Sequence, residues 1–182
     1  MAAWVLLLRG VGGRTQVSPR LLRAVLGAEG FGRVAVYGHS GNAVVTSPLS
    51  RSEVSVIAAE ACAREMGFRK EIHVVSGADW TRLVARNPFP RAAEAPATLH
   101  VAVLGDDPDP ARIKALNALS DGSDALVVQD RVAYLHAPRG FSRSRIATRF
   151  DRGIGVPTTA RSWTAVQRLL ALVEVADAVE AA

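Results

Sequence analysis

The chain of 182 residues contains a single cysteine, Cys62, so it can form no internal disulfide and no cysteine-based zinc finger. It also lacks any apolar run near the roughly 18 residues that a membrane-spanning helix requires. The apolar opening, residues 2–8, has no basic flank before it and runs directly into Arg9, so we expect no signal peptide. These absences predict a soluble, cytoplasmic protein.

Aromatic residues are also few, with three Trp, two Tyr and five Phe. Sheets that bind single-stranded RNA stack bases on exposed aromatic residues, and the chain has no run of the R-G-F-x-F type. The pattern G-x-x-x-x-G-K-[ST] is absent, and Thr15 stands where a G-x-G-x-x-G pattern beginning at Gly10 needs its last glycine. The composition therefore argues against sequence-specific RNA recognition and against dinucleotide binding.

Lysine is nearly absent, with 2 Lys against 20 Arg, and the formal net charge is +5. A coding bias that also enriches alanine accounts for the choice of arginine. It does not account for the distribution of charge, because residues 1–52 sum to +5, residues 53–130 to −4, residues 131–168 to +7 and the last fourteen residues to −3. The two basic segments are therefore where we look for a site that binds anions.

Hydrophobic periodicity predicts a strand-helix-strand-strand-helix-strand order in the first part of the chain, which is typical of a ferredoxin-like unit. The continuous apolar run at residues 4–8 favours a strand buried on both faces, and therefore a central one. The other predicted elements are a helix that begins after Ser18, a hairpin of residues 34–37 and 43–46, a helix that begins at Ser50 or Ser52 and ends at Met66, and a strand at residues 71–75.

A similar order recurs after a third helix and a connector. Its predicted elements are a strand at residues 99–104, a helix that ends at Leu119, a hairpin of residues 125–128 and 132–136, a helix at residues 142–152 and a final helix that begins at Trp163. The final helix occupies the place of a last strand. We therefore predict an α+β fold with two ferredoxin-like halves, of which the second is incomplete. The predicted boundaries are residues 1–76, 77–97 and 98–182, within one compact domain.

Four short motifs stand out along the chain. They are Leu8-Arg9-Gly10 with Gly12-Gly13, then Ser40-Gly41-Asn42, Asn87-Pro88-Phe89 and Arg161-Ser162-Trp163-Thr164. Together they resemble the bacterial family called domain of unknown function 1697, over nearly the whole chain. The resemblance implies ferredoxin-like halves and no established activity. The sequence departs from the family pattern in a shorter glycine loop that lacks an asparagine, and in Ser162, where asparagine is usual.

The predicted topology brings two of these motifs to one end of the first sheet, because the first two strands point the same way. This end of the sheet is a candidate anion site. It offers backbone N–H groups, two arginines and the N-terminus of the helix that begins after Ser18. Its residues are Arg9, Gly10, Gly12, Gly13, Arg14, Ser40, Gly41 and Asn42. The alternative is that the glycines only permit tight turns and that Ser40 and Asn42 form the second turn.

A second candidate surface is the arginine-rich helix near residue 145. Arg145, Arg149 and Arg152 are spaced so that neighbours share a face, where like charges repel by roughly 0.2–0.5 kcal/mol per pair. Three counter-anions could relieve this repulsion: the acidic turn at residues 105–109, nucleic-acid phosphate or another acidic partner. The alternative is that the arginines bind no partner and form a solvated face. Arg161 extends this surface, and Trp163 is either a stacking platform for a base or a core residue.

The leading hypothesis is a binding module for an anionic ligand, either nucleic acid or a phosphorylated small molecule. The second is an enzyme that acts on such a substrate, with His39 as the catalytic candidate because its unperturbed pKa lies near neutral pH. The third is an oligomeric interaction protein that self-associates through the apolar C-terminal helix. Since the histidines and Cys62 lack metal-ligand spacing, no metal site and no cofactor are predicted.

Overall fold

The computed structural model describes residues 1–11 and 16–178, and its first half contains one four-stranded sheet. The elements in chain order are β1 (Ala2–Leu8), α1 (Pro19–Ala28), β2 (Gly32–Tyr37), β3 (Asn42–Ser47), α2 (Arg51–Met66), β4 (Ile72–Ser76) and α3 (Gly77–Ala85). The strand order is β2-β3-β1-β4, and every neighbouring pair is antiparallel. This is the ferredoxin-like arrangement that the sequence predicts.

The helices of the first half begin at the predicted caps. The Ser18 hydroxyl accepts the N–H of Leu21 at the start of α1. Ser50 and Glu53 form a reciprocal capping box at the start of α2, and Gly67 ends α2 in the left-handed conformation with φ 69°. These local signals set the helix boundaries independently of the rest of the fold.

Strand β1 lies between β3 and β4 and is central, as its apolar sequence predicts. Val5, Leu6 and Leu7 are fully buried, so both faces of the strand are covered. Leu6 belongs to the core that α1 and α2 form on one face of the sheet, with Leu22 of α1 and Val54 of α2.

The second half contains a second four-stranded sheet. Its elements are β5 (Leu99–Leu104), α4 (Pro110–Asn117), β6 (Ala125–Gln129), β7 (Val132–His136), α5 (Arg145–Gly153) and β8 (Thr158–Ser162), followed by α6 (Trp163–Ala178). The connector before β5 and the segment before α5 form short 3₁₀ helices at Pro90–Glu94, Pro96–Thr98 and Phe141–Arg143. The strand order β6-β7-β5-β8 repeats the order of the first sheet, which confirms the α+β fold with two ferredoxin-like halves.

One detail of the second half corrects the sequence-based expectation. The second half has its final strand, because β8 pairs antiparallel with β5 from His100 opposite Ser162 to Leu104 opposite Thr158. The strand was missed because its sequence, Thr-Thr-Ala-Arg-Ser, has no apolar alternation. Thr158 and Thr159 are nonetheless buried, so β-branched threonine stands where the pattern would require apolar residues.

Helices α4 and α5 lie on one face of the second sheet. Leu116 of α4 and Ile146 and Phe150 of α5 share a core with Ala102 and Leu104 of β5. The two helices pack beside each other over this core, so the residues that flank their apolar faces border a common groove.

The chain divides into two compact units, of which one is Ala85–Val166 and the other combines Met1–Val84 with the chain from Gln167 on. Most of α6 therefore groups with the first half, whereas the sequence-based division places all of residues 98–182 in the second. Within that first unit, Val173 of α6 would be 2.9 Å from a Cβ atom on Gly77. No helix among residues 1–11 and 16–178 is both long and apolar enough to cross a membrane.

Candidate anion-binding site

The loop after β1 and the turn between β2 and β3 meet at one end of the first sheet, as the topology predicts. The Leu8 N–H donates to the Gly41 carbonyl oxygen at 2.9 Å, and the Val17 N–H donates to the His39 carbonyl oxygen at 3.0 Å. These two bonds tie both ends of the glycine loop to the turn. Gly12, Gly13 and Arg14 of the predicted anion site lie outside the described residues.

Two residues predicted to bind a ligand at this end, Gly41 and Asn42, have structural contacts. Asn42 is 2% exposed, and its side-chain Nδ2 donates to the Tyr37 carbonyl oxygen at 3.2 Å, which closes the turn. A Cβ atom on Gly41 would lie 2.6 Å from the Leu8 Cβ, so close approach requires glycine there. The interpretation of these two residues as turn formers therefore explains their contacts.

Two charged groups described at this end are also engaged. Arg9 Nη1 lies 3.3 Å from Glu71 Oε2, and Lys70 Nζ donates to the Gly10 carbonyl oxygen at 3.1 Å. His39 and Ser40 are exposed in the turn. Arg9, Gly10, Ser40 and Gly41 are thus brought to one end of the sheet, and their binding role stays a prediction.

The arginine-rich surface predicted from the sequence lies on α5, in the second unit. The Ser144 hydroxyl caps this helix by accepting the Ala147 N–H at 3.0 Å, and Ile146 and Phe150 are buried beneath it. The rest of the helix surface carries Arg145, Arg149 and Arg152, all exposed.

The acidic turn at residues 105–109 uses its carboxylates elsewhere. Arg131 Nη2 lies 2.8 Å from Asp107 Oδ2 and 3.5 Å from Asp106 Oδ1, and this guanidinium lowers the pKa of the Asp107 carboxyl. Asp109 Oδ1 accepts the Ala111 N–H at 2.8 Å and caps α4. Among the described residues, no ion pair joins this turn to the arginines of α5, so it is not their counter-anion.

An open groove of about 940 Å³ runs between α4 and α5, and we call it the α4–α5 groove. Three arginines line it: Arg112 from α4, and Arg149 and Arg152 from α5. Its other lining residues are Ala115, Leu116, Leu119, Thr148, Asp151 and Gly153. Three guanidinium groups against one carboxylate leave the groove with a formal charge of +2.

Arg112 is held in this groove by the backbone at the end of α5 and just beyond it. Its Nη1 donates to the Gly153 carbonyl oxygen at 3.4 Å. Its side chain also crosses Gly155, where a Cβ atom would lie 2.6 Å from Arg112 Nε and 2.7 Å from Cδ. One guanidinium has five N–H donors, so this single contact leaves most of them for another partner.

Comparison with known proteins places the chain in a family. Residues 1–134 match the family described as "Protein of unknown function (DUF1697)". The chain belongs to this family. The solved structure titled "The structure of conserved bacterial protein SP0830 from Streptococcus pneumoniae" matches with a TM-score of 0.74 and 19% sequence identity, over 94% of this chain and 98% of that chain. At this identity the likeness shows the fold alone, and no curated protein matches the chain.

The fourth motif of the resemblance lies on β8 and at the start of α6, beyond the matched residues 1–134. Arg161 is half-buried, and burial lowers the pKa of its guanidinium to about 10. Its Nη1 donates to Thr159 Oγ1 and to the Ala160 carbonyl oxygen, each at 2.8 Å. Trp163 is only 3% exposed, which favours its role as a core residue.

Of the candidates predicted in the second unit, Arg149 lines the α4–α5 groove, whereas Arg145, Arg161 and Trp163 do not. Arg112 was missed, because it belongs to a different helix within a segment of negative net charge. The topology is the one feature of the sequence that could have pointed to Arg112, because a ferredoxin-like half places its two helices side by side on one face of the sheet. Across residues 1–11 and 16–178, no group of three or more His, Cys, Asp or Glu residues could hold a metal ion.

Proposed function

We propose that this protein is a binding module for an anionic ligand, either nucleic acid or a phosphorylated small molecule, and that the arginines of α5 carry the binding. The observation that supports this most is that Arg112, Arg149 and Arg152 all line the α4–α5 groove. The nearby acidic turn, which could have neutralised them, is paired with Arg131.

Unneutralised arginines at helical spacing destabilise their helix slightly, and an anion removes that repulsion. Guanidinium groups also pair with phosphate oxygens through two parallel hydrogen bonds, which ammonium groups cannot do. In a chain with 20 Arg and 2 Lys, a surface that collects arginine suits a phosphate ligand.

The proposal is tested with a panel of anions at low and at about 0.15 M ionic strength. The probes are a labelled DNA duplex, a single-stranded RNA, inorganic phosphate and a nucleoside monophosphate, and binding is followed by fluorescence anisotropy or calorimetry. We expect binding that weakens with salt and that falls in a double variant with Arg145→Gln and Arg149→Gln.

The matched control is the double variant with Arg20→Gln and Arg23→Gln. These two exposed arginines lie on α1, so the control removes the same charge from a surface outside the proposal. The absence of binding to every probe at low salt would show the proposal to be wrong. An equal loss of binding in both double variants would show that binding depends on net charge alone and not on the arginines of α5.

The enzyme hypothesis depends on His39, which is exposed in the turn between β2 and β3. The contact that the structure gives this residue is through its backbone carbonyl oxygen, which accepts the Val17 N–H. A His39→Ala variant that loses an activity found by screening would favour this second hypothesis. A cytoplasmic location and self-association through α6 also stay predictions.

A further inference from the structure

We propose that the α4–α5 groove is a site for a small phosphorylated ligand of about nucleotide size, in which Arg112, Arg149 and Arg152 hold the phosphate. This inference rests on the proposed function and narrows it to one site and one ligand class. Arg149 and Arg152 belong to the arginine-rich helix predicted from the sequence, whereas Arg112 belongs to neither predicted surface.

The size of the groove fits a small molecule. Pockets for such ligands commonly measure roughly 300–1,000 Å³, and this groove measures about 940 Å³. A nucleic-acid backbone is instead bound along an extended stripe of charge. Here the three arginines line one groove from two adjacent helices, since Arg112 comes from the first turn of α4 and the other two from the second half of α5.

The lining of the groove is amphipathic. Leu116 of α4, which is largely buried, and Leu119, just beyond the end of α4, line its apolar side together with the small side chain of Ala115. The three guanidinium groups supply donors for a phosphate, and the leucines supply a surface for a ring or another apolar body. Asp151 lowers the positive charge of the groove without cancelling it.

Two glycines bring Arg112 into position. A Cβ atom on Gly153 would lie 2.6 Å from Leu116 Cδ2, so glycine at the end of α5 permits the close approach of α4. Gly155 then leaves room for the Arg112 side chain to cross the backbone. An arginine that is already held in place loses less conformational entropy when a ligand binds.

Thr148 adds a polar group to the lining. Its hydroxyl donates to the Arg145 carbonyl oxygen at 3.1 Å, so its oxygen remains able to accept a hydrogen bond. A ligand with a hydroxyl or amino group near its phosphate would meet this oxygen. The features together favour a phosphomonoester carried on a ring.

The test measures binding of inorganic phosphate and adenosine 5′-monophosphate at about 0.15 M ionic strength, by calorimetry and by the arginine Nε–Hε signals in NMR spectra. We expect the nucleotide to bind more tightly than inorganic phosphate, because the apolar side of the groove contributes. Arg112→Gln and Arg152→Gln should each weaken nucleotide binding at least about tenfold.

The matched control is Arg143→Gln, which removes an exposed arginine just before α5 that does not line the groove. It should leave nucleotide affinity nearly unchanged. Arg112→Lys should recover only part of the affinity, because lysine keeps the charge but not the paired donors. Circular dichroism of each variant shows that it is folded.

Three results overturn the inference and separate it from the proposed function. If a DNA duplex binds and both small phosphates do not, the protein binds anions but the groove is not a small-ligand site. If Arg143→Gln weakens nucleotide binding as much as Arg112→Gln does, binding depends on net charge and not on the groove. If no probe binds at low salt either, both proposals are wrong.

Discussion

The side chain of Arg112 crosses the backbone of Gly155 so closely that a Cβ atom on Gly155 would lie 2.6 Å from Arg112 Nε. Gly155 has φ +80°, a conformation that residues with side chains rarely adopt. The position of a charged group in the α4–α5 groove therefore depends on a glycine outside the helices that line it.

Gly155→Ala should weaken binding of a phosphorylated ligand by moving Arg112. The clash involves the flexible part of a long side chain, so we expect Arg112 to rotate away from Gly155. The backbone strain should lower the free energy of unfolding by about 1–3 kcal/mol. Denaturant unfolding measures the stability, and calorimetry measures the binding.

Gly122→Ala separates these two effects. Gly122 also has positive φ, at +93°, but a Cβ atom there would have no neighbour within 4 Å. The two variants should therefore lose similar stability, while Gly155→Ala alone loses affinity. Unchanged affinity in Gly155→Ala would show that Arg112 does not need this position for binding.

The groove was only partly predictable from the sequence. Arg149 and Arg152 are three residues apart on one helix, so local spacing is enough to place them on a common face. Arg112 joins them only because α4 packs beside α5, which is a tertiary contact. Arg145, with equally favourable spacing, does not line the groove.

Gly41→Ala should destabilise the first unit more than Gly38→Ala. Both glycines have positive φ, +68° and +65°, so both variants carry backbone strain of about 1–2 kcal/mol. A Cβ atom on Gly41 would also lie 2.6 Å from Leu8 Cβ, which cannot move without β1, whereas Gly38 has no neighbour within 4 Å. Overpacking adds about 1–3 kcal/mol for Gly41→Ala, as denaturant unfolding would show.

Equal stability of the two variants would contradict this close approach. The comparison also bears on the first predicted anion site, because Gly41 was one of its candidates. A large loss of stability in Gly41→Ala would favour a structural role, and the turn would then be understood from packing against Leu8.

Local signals and long-range pairing account for what the sequence could and could not predict about the fold. Ser18 and Ser50 mark helix starts through contacts within a few residues, and the structure confirms Ser18 and selects Ser50 over Ser52; Gly67 ends α2 by an equally local signal. β8 depends on pairing with β5, which comes much earlier in the chain. Its Thr158 and Thr159 are buried, but their sequence does not reveal it.

Cys62 should be unreactive in the folded protein. It is 1% exposed, and burial raises the pKa of its thiol to about 11. Because the thiolate is the reactive form, alkylation at pH 8 should be slow in the native state and fast in denaturant. Mass spectrometry measures the rate, and rapid native labelling would contradict the burial of this helix face.

The same raised pKa predicts a pH dependence of stability. Between the ordinary value of 9.0 and about 11, the unfolded thiol loses its proton and the folded thiol keeps it. The free energy of unfolding should therefore fall as the pH rises through this range. Tyr134, whose pKa burial raises to about 12, acts in the same direction, so the contribution of Cys62 is measured as the difference from Cys62→Ala.

Asn117, at the end of α4, should stabilise the edge strand β6. Its Nδ2 donates to the Leu126 carbonyl oxygen at 2.9 Å, and its Oδ1 accepts the Leu126 N–H at 3.1 Å. Asn117→Ala loses both bonds and should lower the free energy of unfolding by about 1–3 kcal/mol, while Lys114→Ala, at an exposed position of α4, should change it little.

Asn117→Asp keeps the acceptor but turns a carboxylate oxygen toward the Leu126 carbonyl at neutral pH. Its stability should recover as the pH falls and the carboxyl gains a proton to donate, and equal stability of Asn117→Asp and the wild type at neutral pH would show that the donated bond contributes nothing.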